Sequence, residues 1–288
     1  MSDRGGTVAY GDRRLLRACC TVLVGGLIAT GCAGAGDDQR KPEGKGSAST
    51  PPVPTGASTT APAPTPTALD FTPDPKRAPK TEAEARRLAL AVVAGPDAWA
   101  PGYVKRTPYL SDPDYWPVLG ANCSWETGTR PASVLASVTA YSEVPATGGK
   151  GVLRVAATVT VHRTESDADW EMASTLEEAL NCPDQKLRDG ERVTGLMSLG
   201  NPFGVGGNAT AHDALREGGS YLNDAVKGKQ FYSWYQSRLG QITVATVVKG
   251  APGYQEMSDA TSIGTSQAQV QALVTMLQRA EDQLEVQS

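Results

Sequence analysis

Histidine is nearly missing from this 288-residue chain: only His162 and His212 occur, about fifty residues apart. Neither stands in a spacing that suits a metal ion or serves as a nucleophile's base, so no zinc or Ser-His-Asp pattern can be read. Asp213 beside His212 does not make a dyad, because neighbours point apart on a strand and about 100° apart on a helix. A hydrolase would need the fold itself to bring Ser220 or Asp213 to His162. Basic clusters are missing too. The net charge is −4, and the mildly basic stretch from Lys76-Arg77 to Lys80 reads as a solvated boundary, so nucleic acid is not an expected partner. The glycine-rich stretch Gly200 to Asn208 lacks the Gly-Lys-Ser/Thr ending that cradles phosphate. It reads as a flexible connection rather than an anion site. Nothing in the sequence calls for a cofactor or metal, and no set of residues describes an enzyme.

Long apolar runs are also absent. The stretch from Ala18 to Ile28, behind Arg4, Arg13, Arg14 and Arg17, is too short to span a bilayer but has the charged and apolar regions of an export signal. It ends in Leu27-Ile28-Ala29-Thr30-Gly31-Cys32, which looks like a bacterial lipoprotein signal with Ala29 in place of the usual Leu. Residues 1–31 are then removed and Cys32 takes lipid, several acyl chains making a stable anchor at about 0.8 kcal/mol per buried CH₂. The partner implied is a lipid bilayer, and the address is the extracellular face of a cell membrane. The competing reading is an ordinary thiol after an ordinary signal peptide. Arg13-Arg14-Leu15-Leu16-Arg17 faintly resembles a twin-arginine signal, so the export route stays open. Removing the leader's net +2 leaves the remainder near −6.

Cysteine is scarce: five residues, of which Cys19 and Cys20 leave with the leader and Cys32 is acylated. Cys123 and Cys182 remain in an oxidising compartment, and a disulfide between them is expected over two unrelated thiols. It closes a loop of roughly 60 residues and is worth about 4 kcal/mol in the chain-entropy model.

Residues 32–75 are dominated by Gly, Ser, Thr, Ala and Pro, as in Thr60-Ala61-Pro62-Ala63-Pro64-Thr65-Pro66-Thr67. Such a segment cannot bury enough apolar surface to order itself, and reads as a disordered tether. Residues 76–288 are long enough for one substantial core, and all five Trp lie there.

Within that domain Thr81 and Glu84 form a capping box before a helix of about 14 residues ended by Gly95-Pro96. An irregular loop rich in Pro and aromatics follows from Trp99 to Trp116. Ala132 to Ala140 and Leu153 to Val161 alternate with period two and pair through Thr147-Gly148-Gly149-Lys150-Gly151 as a hairpin. Ser166 and Asp169 cap a second helix with Trp170, Ala173, Leu176 and Leu180 as its apolar stripe, ending at Cys182-Pro183. A short strand near Val193 to Leu199 and a hairpin from Gln230 to Val248 precede a last helix, Ser266 to Leu284, burying Val270, Leu273, Val274, Leu277 and Ala280. This order predicts an α+β fold, an antiparallel sheet packed against helices that cover one face.

Asn122-Cys123-Ser124 and Asn208-Ala209-Thr210 fit the glycosylation pattern, but the leader looks bacterial. The aromatics fall in two groups, Tyr103 to Trp125 around the irregular loop and Phe231 to Tyr235 on one strand. They either fill the core or line a groove, whose walls would be Tyr115, Trp116, Tyr232 and Trp234.

Cys123-Ser124-Trp125 after the first loop, the Trp170-to-Cys182 helix, and a closing hairpin followed by a C-terminal helix resemble the PknH-like extracellular sensor domains of mycobacterial serine/threonine kinases and the actinobacterial lipoproteins built on the same unit. The resemblance covers most of residues 80–288. It implies an antiparallel sheet with helices and a groove for an unknown ligand. The chain departs from the kinase sensors in having one disulfide where they often have two, and no kinase domain. Two functions are expected from these observations: a non-catalytic ligand-binding or sensor-like module, or a structural or protein-interaction lipoprotein of the cell envelope.

Overall fold

In the computed structural model, residues 69–200, 210–256 and 264–286 are described. Cys32, and the glycine-rich stretch after Gly200, lie outside them. The first helix, α1 (Glu82–Val92), starts on the expected capping box: Thr81 Oγ1 accepts from the Glu84 amide, and the Glu84 carboxylate accepts from the Thr81 amide at 3.0 Å. Such a cap is worth about 1 kcal/mol. Its buried stripe is Ala85, Leu88, Ala89 and Val92.

Among the described residues ten strands follow: β1 (Val104–Leu110), β2 (Trp116–Leu119), β3 (Trp125–Gly128), β4 (Val134–Val144), β5 (Leu153–His162), β6 (Gln185–Arg188), β7 (Glu191–Ser198), β8 (Asp213–Asn223), β9 (Val226–Leu239) and β10 (Ile242–Lys249). The other helices are α2 (Glu165–Asn181), between β5 and β6, and α3 (Thr265–Leu284). Eight strands form one curled antiparallel sheet in the order β1-β4-β5-β10-β9-β8-β7-β6, and β2 and β3 make a separate hairpin. The α+β expectation holds.

Alternation along the strands sends two sets of side chains to opposite faces. Leu153, Val155, Ala157, Val159 and Val161 of β5, with Ile242, Val244 and Val248 of β10, meet α1 and α3 in the main core, together with Trp99. Gln269 of α3 is fully buried there and donates to the carbonyls of Ser233 and Thr246 at 3.1 and 3.0 Å, fixing the helix to β9 and β10. Leu69 and Phe71, placed in the tether by composition, also pack on this core, and the Asp74 amide donates to the Leu284 carbonyl at 2.8 Å.

Several expectations fail for identifiable reasons. The sheet is covered on both faces, because α2 packs across β5 and β7 to β10 on the side away from α1 and α3. Its cap is Thr164, not Ser166, and its buried residues are Ala168, Met172 and Ala179. Trp170 and Leu180 are 68 % and 79 % exposed, so neither large apolar side chain packs into the core. In α3 Val270 is exposed, while Ala268, Ala272 and Met276 join Leu273, Leu277 and Ala280 in the core. The Pro-rich loop holds β1, whose Pro108 breaks the alternation pattern at a sheet edge where a missing N–H is tolerated. Strand β8 had no clear signature, since Gly218-Gly219 interrupts it; a Cβ on Gly219 would sit 3.2 Å from the Leu196 backbone, so the glycine permits close approach of β7.

The Cys123–Cys182 disulfide forms, with a Cα–Cα distance of 5.5 Å. It joins the turn after β2 to the end of α2. The Lys186 amide donates to the Cys123 carbonyl at 2.9 Å and Trp125 Nε1 donates to Gln185 Oε1 at 2.8 Å, so the β2–β3 hairpin is held against β6. Among the described residues no helix is long and apolar enough to cross a membrane.

Candidate functional site

The face of the sheet opposite the main core mixes polar and apolar side chains, which align in rows across the strands. One row runs Tyr141, Ala156, Val247, Trp234, Glu217 from β4 to β8. The next is Thr139, Thr158, Ala245, Gln236, and a third begins Ser137, Thr160, Thr243. Above them α2 turns a stripe at helical spacing toward the sheet: Asp167, Trp170, Glu171, Ser174, Thr175 and Glu178. Between helix, sheet and the β2–β3 hairpin lies a cavity of about 760 Å³. That volume lies within the range of small-molecule sites.

Tyr115, Trp116, Tyr232 and Trp234, drawn from two distant stretches of sequence, all line this one cavity. Trp116 opens β2 with Tyr115 just ahead of it, and β9 supplies the other two. Trp234 Nε1 is buried without a hydrogen-bond partner.

At one end of the cavity sits a dense polar network. His162, only 2 % exposed, donates from Nε2 to Glu171 Oε2 at 2.5 Å. Thr243 donates to the same oxygen at 3.0 Å, Gln236 donates to Glu171 Oε1 at 2.9 Å, and Thr175 donates to Gln236 Oε1 at 2.9 Å. Glu171 is thereby a fully hydrogen-bonded carboxylate under the helix. Such buried acceptors are stable only when satisfied.

Two further carboxyls are poorly satisfied. Burial, with the neighbouring Glu171 charge, pushes Glu178 up to about 7. Burial, with Glu178 nearby, pushes Glu217 to about 7 as well. Glu217 is 5 % exposed and one of its oxygens has no partner. Burial also raises the Tyr232 phenol, with Glu217 and Glu178 adding to it. The opposite end is cationic. Arg106, Arg154, Arg188 and Lys249 all line the cavity. Buried Glu191 faces them: burial pushes its carboxyl up, but hydrogen bonds from Arg188 and Lys249 (2.9 Å) prevail and hold it at about 2.

His212 lies elsewhere, its Nδ1 accepting from the Gly240 amide at 3.0 Å and its ring edge-on to Phe71. Asp213 and Ser220 on β8 stand three strands from His162 on β5, about 14 Å along the sheet, and the His162 ring bonds Glu171 instead. The sheet does not bring them together. Among the described residues no group of three or more His, Cys, Asp or Glu side chains is placed to hold a metal.

The charged wall of the cavity was missed from the sequence. The alternating residues Arg154, Thr158, Thr160 and His162 were legible as a polar strand face, which normally means solvent. A second periodic stripe on α2, polar and acidic, was equally legible, but helices usually bury the apolar one. No family model and no curated protein matches this chain.

Proposed function

We infer that the chain is a non-catalytic, sensor-like binding module, anchored by acylated Cys32 at the outer face of a cell membrane, whose cavity receives a small amphipathic molecule of the envelope. The single supporting observation is the inversion of α2. A helix that merely completed a core would bury Trp170 and Leu180; this one leaves Leu180 to solvent and sets a largely exposed Trp170, with Glu171, Ser174, Thr175 and Glu178, along a space of about 760 Å³. Aromatic faces with scattered hydroxyl, amide and charged groups are the usual composition of small-molecule sites. The resemblance to PknH-like sensor domains supports the same reading. The structural or protein-interaction alternative draws on exposed Trp170, Leu180, Met197 and Leu199, but explains nothing about the cavity.

The test uses full-length protein expressed in bacteria. Solvent extracts of the purified wild type are expected to contain a molecule that Ser174→Trp, which fills the cavity from an exposed helix position, no longer retains. Cys32→Ala is expected to leave the membrane fraction while still carrying that molecule. Identical extracts from wild type and Ser174→Trp would refute the cavity reading. Unchanged fractionation of Cys32→Ala would refute the anchor.

A further inference from the structure

The cationic end of the cavity is over-supplied with positive charge. Arg106, Arg154, Arg188 and Lys249 come from β1, β5, β6 and β10, four different strands that the curl of the sheet brings to one wall. Glu191 is the carboxylate that pairs with three of them: it accepts from Arg188 and from Lys249 at 2.9 Å, and Arg154 Nη1 stands 3.8 Å away. Arg106 has no carboxylate partner among the described residues; its guanidinium lies 5.4 Å from the Tyr141 ring centroid. Arg154 Nε is buried without an acceptor. Glu143 stands opposite Arg154 on β4, but Glu191 is the carboxylate within ion-pair distance of Arg154, Arg188 and Lys249, so cations outnumber their paired carboxylates at this wall.

Arg154 and Arg188 keep 40 % and 53 % of their side-chain exposure and are screened by water, so the cost of the surplus falls mainly on Lys249, 26 % exposed. Lys249 illustrates the strain: burial lowers its ammonium, Glu191 pulls it back up, and Arg188 and Arg106 push it down again. A second anion would relieve the repulsion. Guanidinium groups from two strands offer forked donors that suit a phosphate or carboxylate. Away from this wall the cavity continues past Ala156, Val247, Pro117, Val118 and Trp116, an apolar path with room for a chain.

We propose that the cavity binds an anionic amphiphile, its phosphate or carboxylate head between Arg106, Arg154 and Lys249 and its apolar body along the β2–β3 hairpin and the Ala156–Val247 floor. The inference rests on the cavity being a binding site. It adds the sign and shape of the ligand.

The full chain is titrated calorimetrically with decyl phosphate below its micellar concentration, and in parallel with decyl glucoside, decyltrimethylammonium and inorganic phosphate. Decyl phosphate is expected to bind at least about tenfold more tightly than each of the other three. Arg106→Gln, whose guanidinium contacts a tyrosine ring rather than a buried carboxylate, is expected to weaken it about tenfold without lowering the melting temperature. Arg154→Gln should act in the same direction. Equal affinity for decyl glucoside or the ammonium would overturn the anionic assignment while leaving the cavity reading intact. Phosphate alone binding as tightly as decyl phosphate would overturn the amphiphile and leave a free anion as ligand. Unchanged affinity in both arginine variants would overturn the placement of the head. Binding of none of the four probes would overturn this proposal and count against the cavity reading too.

Discussion

Glu178 and Glu217 carry a pH signature that the rest of the cavity does not. Each has an ordinary value near 4.5 and about 7 when folded, so the folded protein holds these protons more tightly than the unfolded chain does. Stability from this pair is therefore full below pH 4.5 and is lost as pH climbs to about 7. Glu191 works in the opposite sense: held at about 2, it contributes above its ordinary value and is lost as pH falls toward 2. Thermal melts should show a melting temperature about 5 °C higher at pH 5 than at pH 8, a gap kept modest by partial solvent screening. Glu217→Gln should raise stability at pH 8 and change little at pH 5. A variant less stable than wild type at pH 8 would show that the ionised carboxylate is wanted there.

At the scale of the elements, α2 shows how far sequence reasoning reaches. Its existence, its end at Cys182 and the antiparallel hairpin ahead of it follow from periodicity and capping chemistry. Its orientation does not, because Glu165–Asn181 carries two stripes of the same period, and Trp170 and Leu180 both stay exposed while smaller residues are buried. Small residues, Ala168 and Ala179 with Met172, make the actual contact with the sheet. Substitutions separate the two orientations: Met172→Ala should cost about 2–4 kcal/mol in denaturant unfolding, whereas Leu180→Ala should stay within about 0.5 kcal/mol. The reverse ranking would restore the orientation expected from hydropathy. A second element is decided by backbone proximity. A Cβ at Gly250 would lie 2.7 Å from the Phe231 carbonyl oxygen, so Gly250→Ala should destabilise the β9–β10 pair by about 1–3 kcal/mol in the same assay.

Across the whole molecule, what was legible and what was not divide along the sheet. The side facing α1 and α3 was readable residue by residue, because Leu153, Val155, Val159 and Val161 alternate cleanly and bury as expected. Tyr115, Trp116, Tyr232 and Trp234 were also picked out from the sequence, because clustered aromatics are scarce in a chain with so few. The charged residues around them come from strands far apart in sequence, and only the curl of the sheet gathers Arg106, Arg154, Arg188 and Lys249. The Cys123–Cys182 bond ties the β2–β3 hairpin, whose Trp116 and Trp125 line the cavity, to the end of α2. Replacing both cysteines by serine should cost about 4 kcal/mol in unfolding, and should weaken retention of the bound molecule through loss of Trp116 and Trp125 from the wall. Full retention in a folded double variant would show that the hairpin is not part of the site.

The central claim is that the space under α2 is occupied by a ligand when the protein does its work. A crystal structure of protein extracted from cell membranes, never unfolded or delipidated, tests this most directly. The account predicts connected electron density between Ser174, Gln236 and Ala156, with one end against Arg106 and Arg154. A cavity holding only ordered water, or one closed by α2 settling onto the sheet, would contradict it.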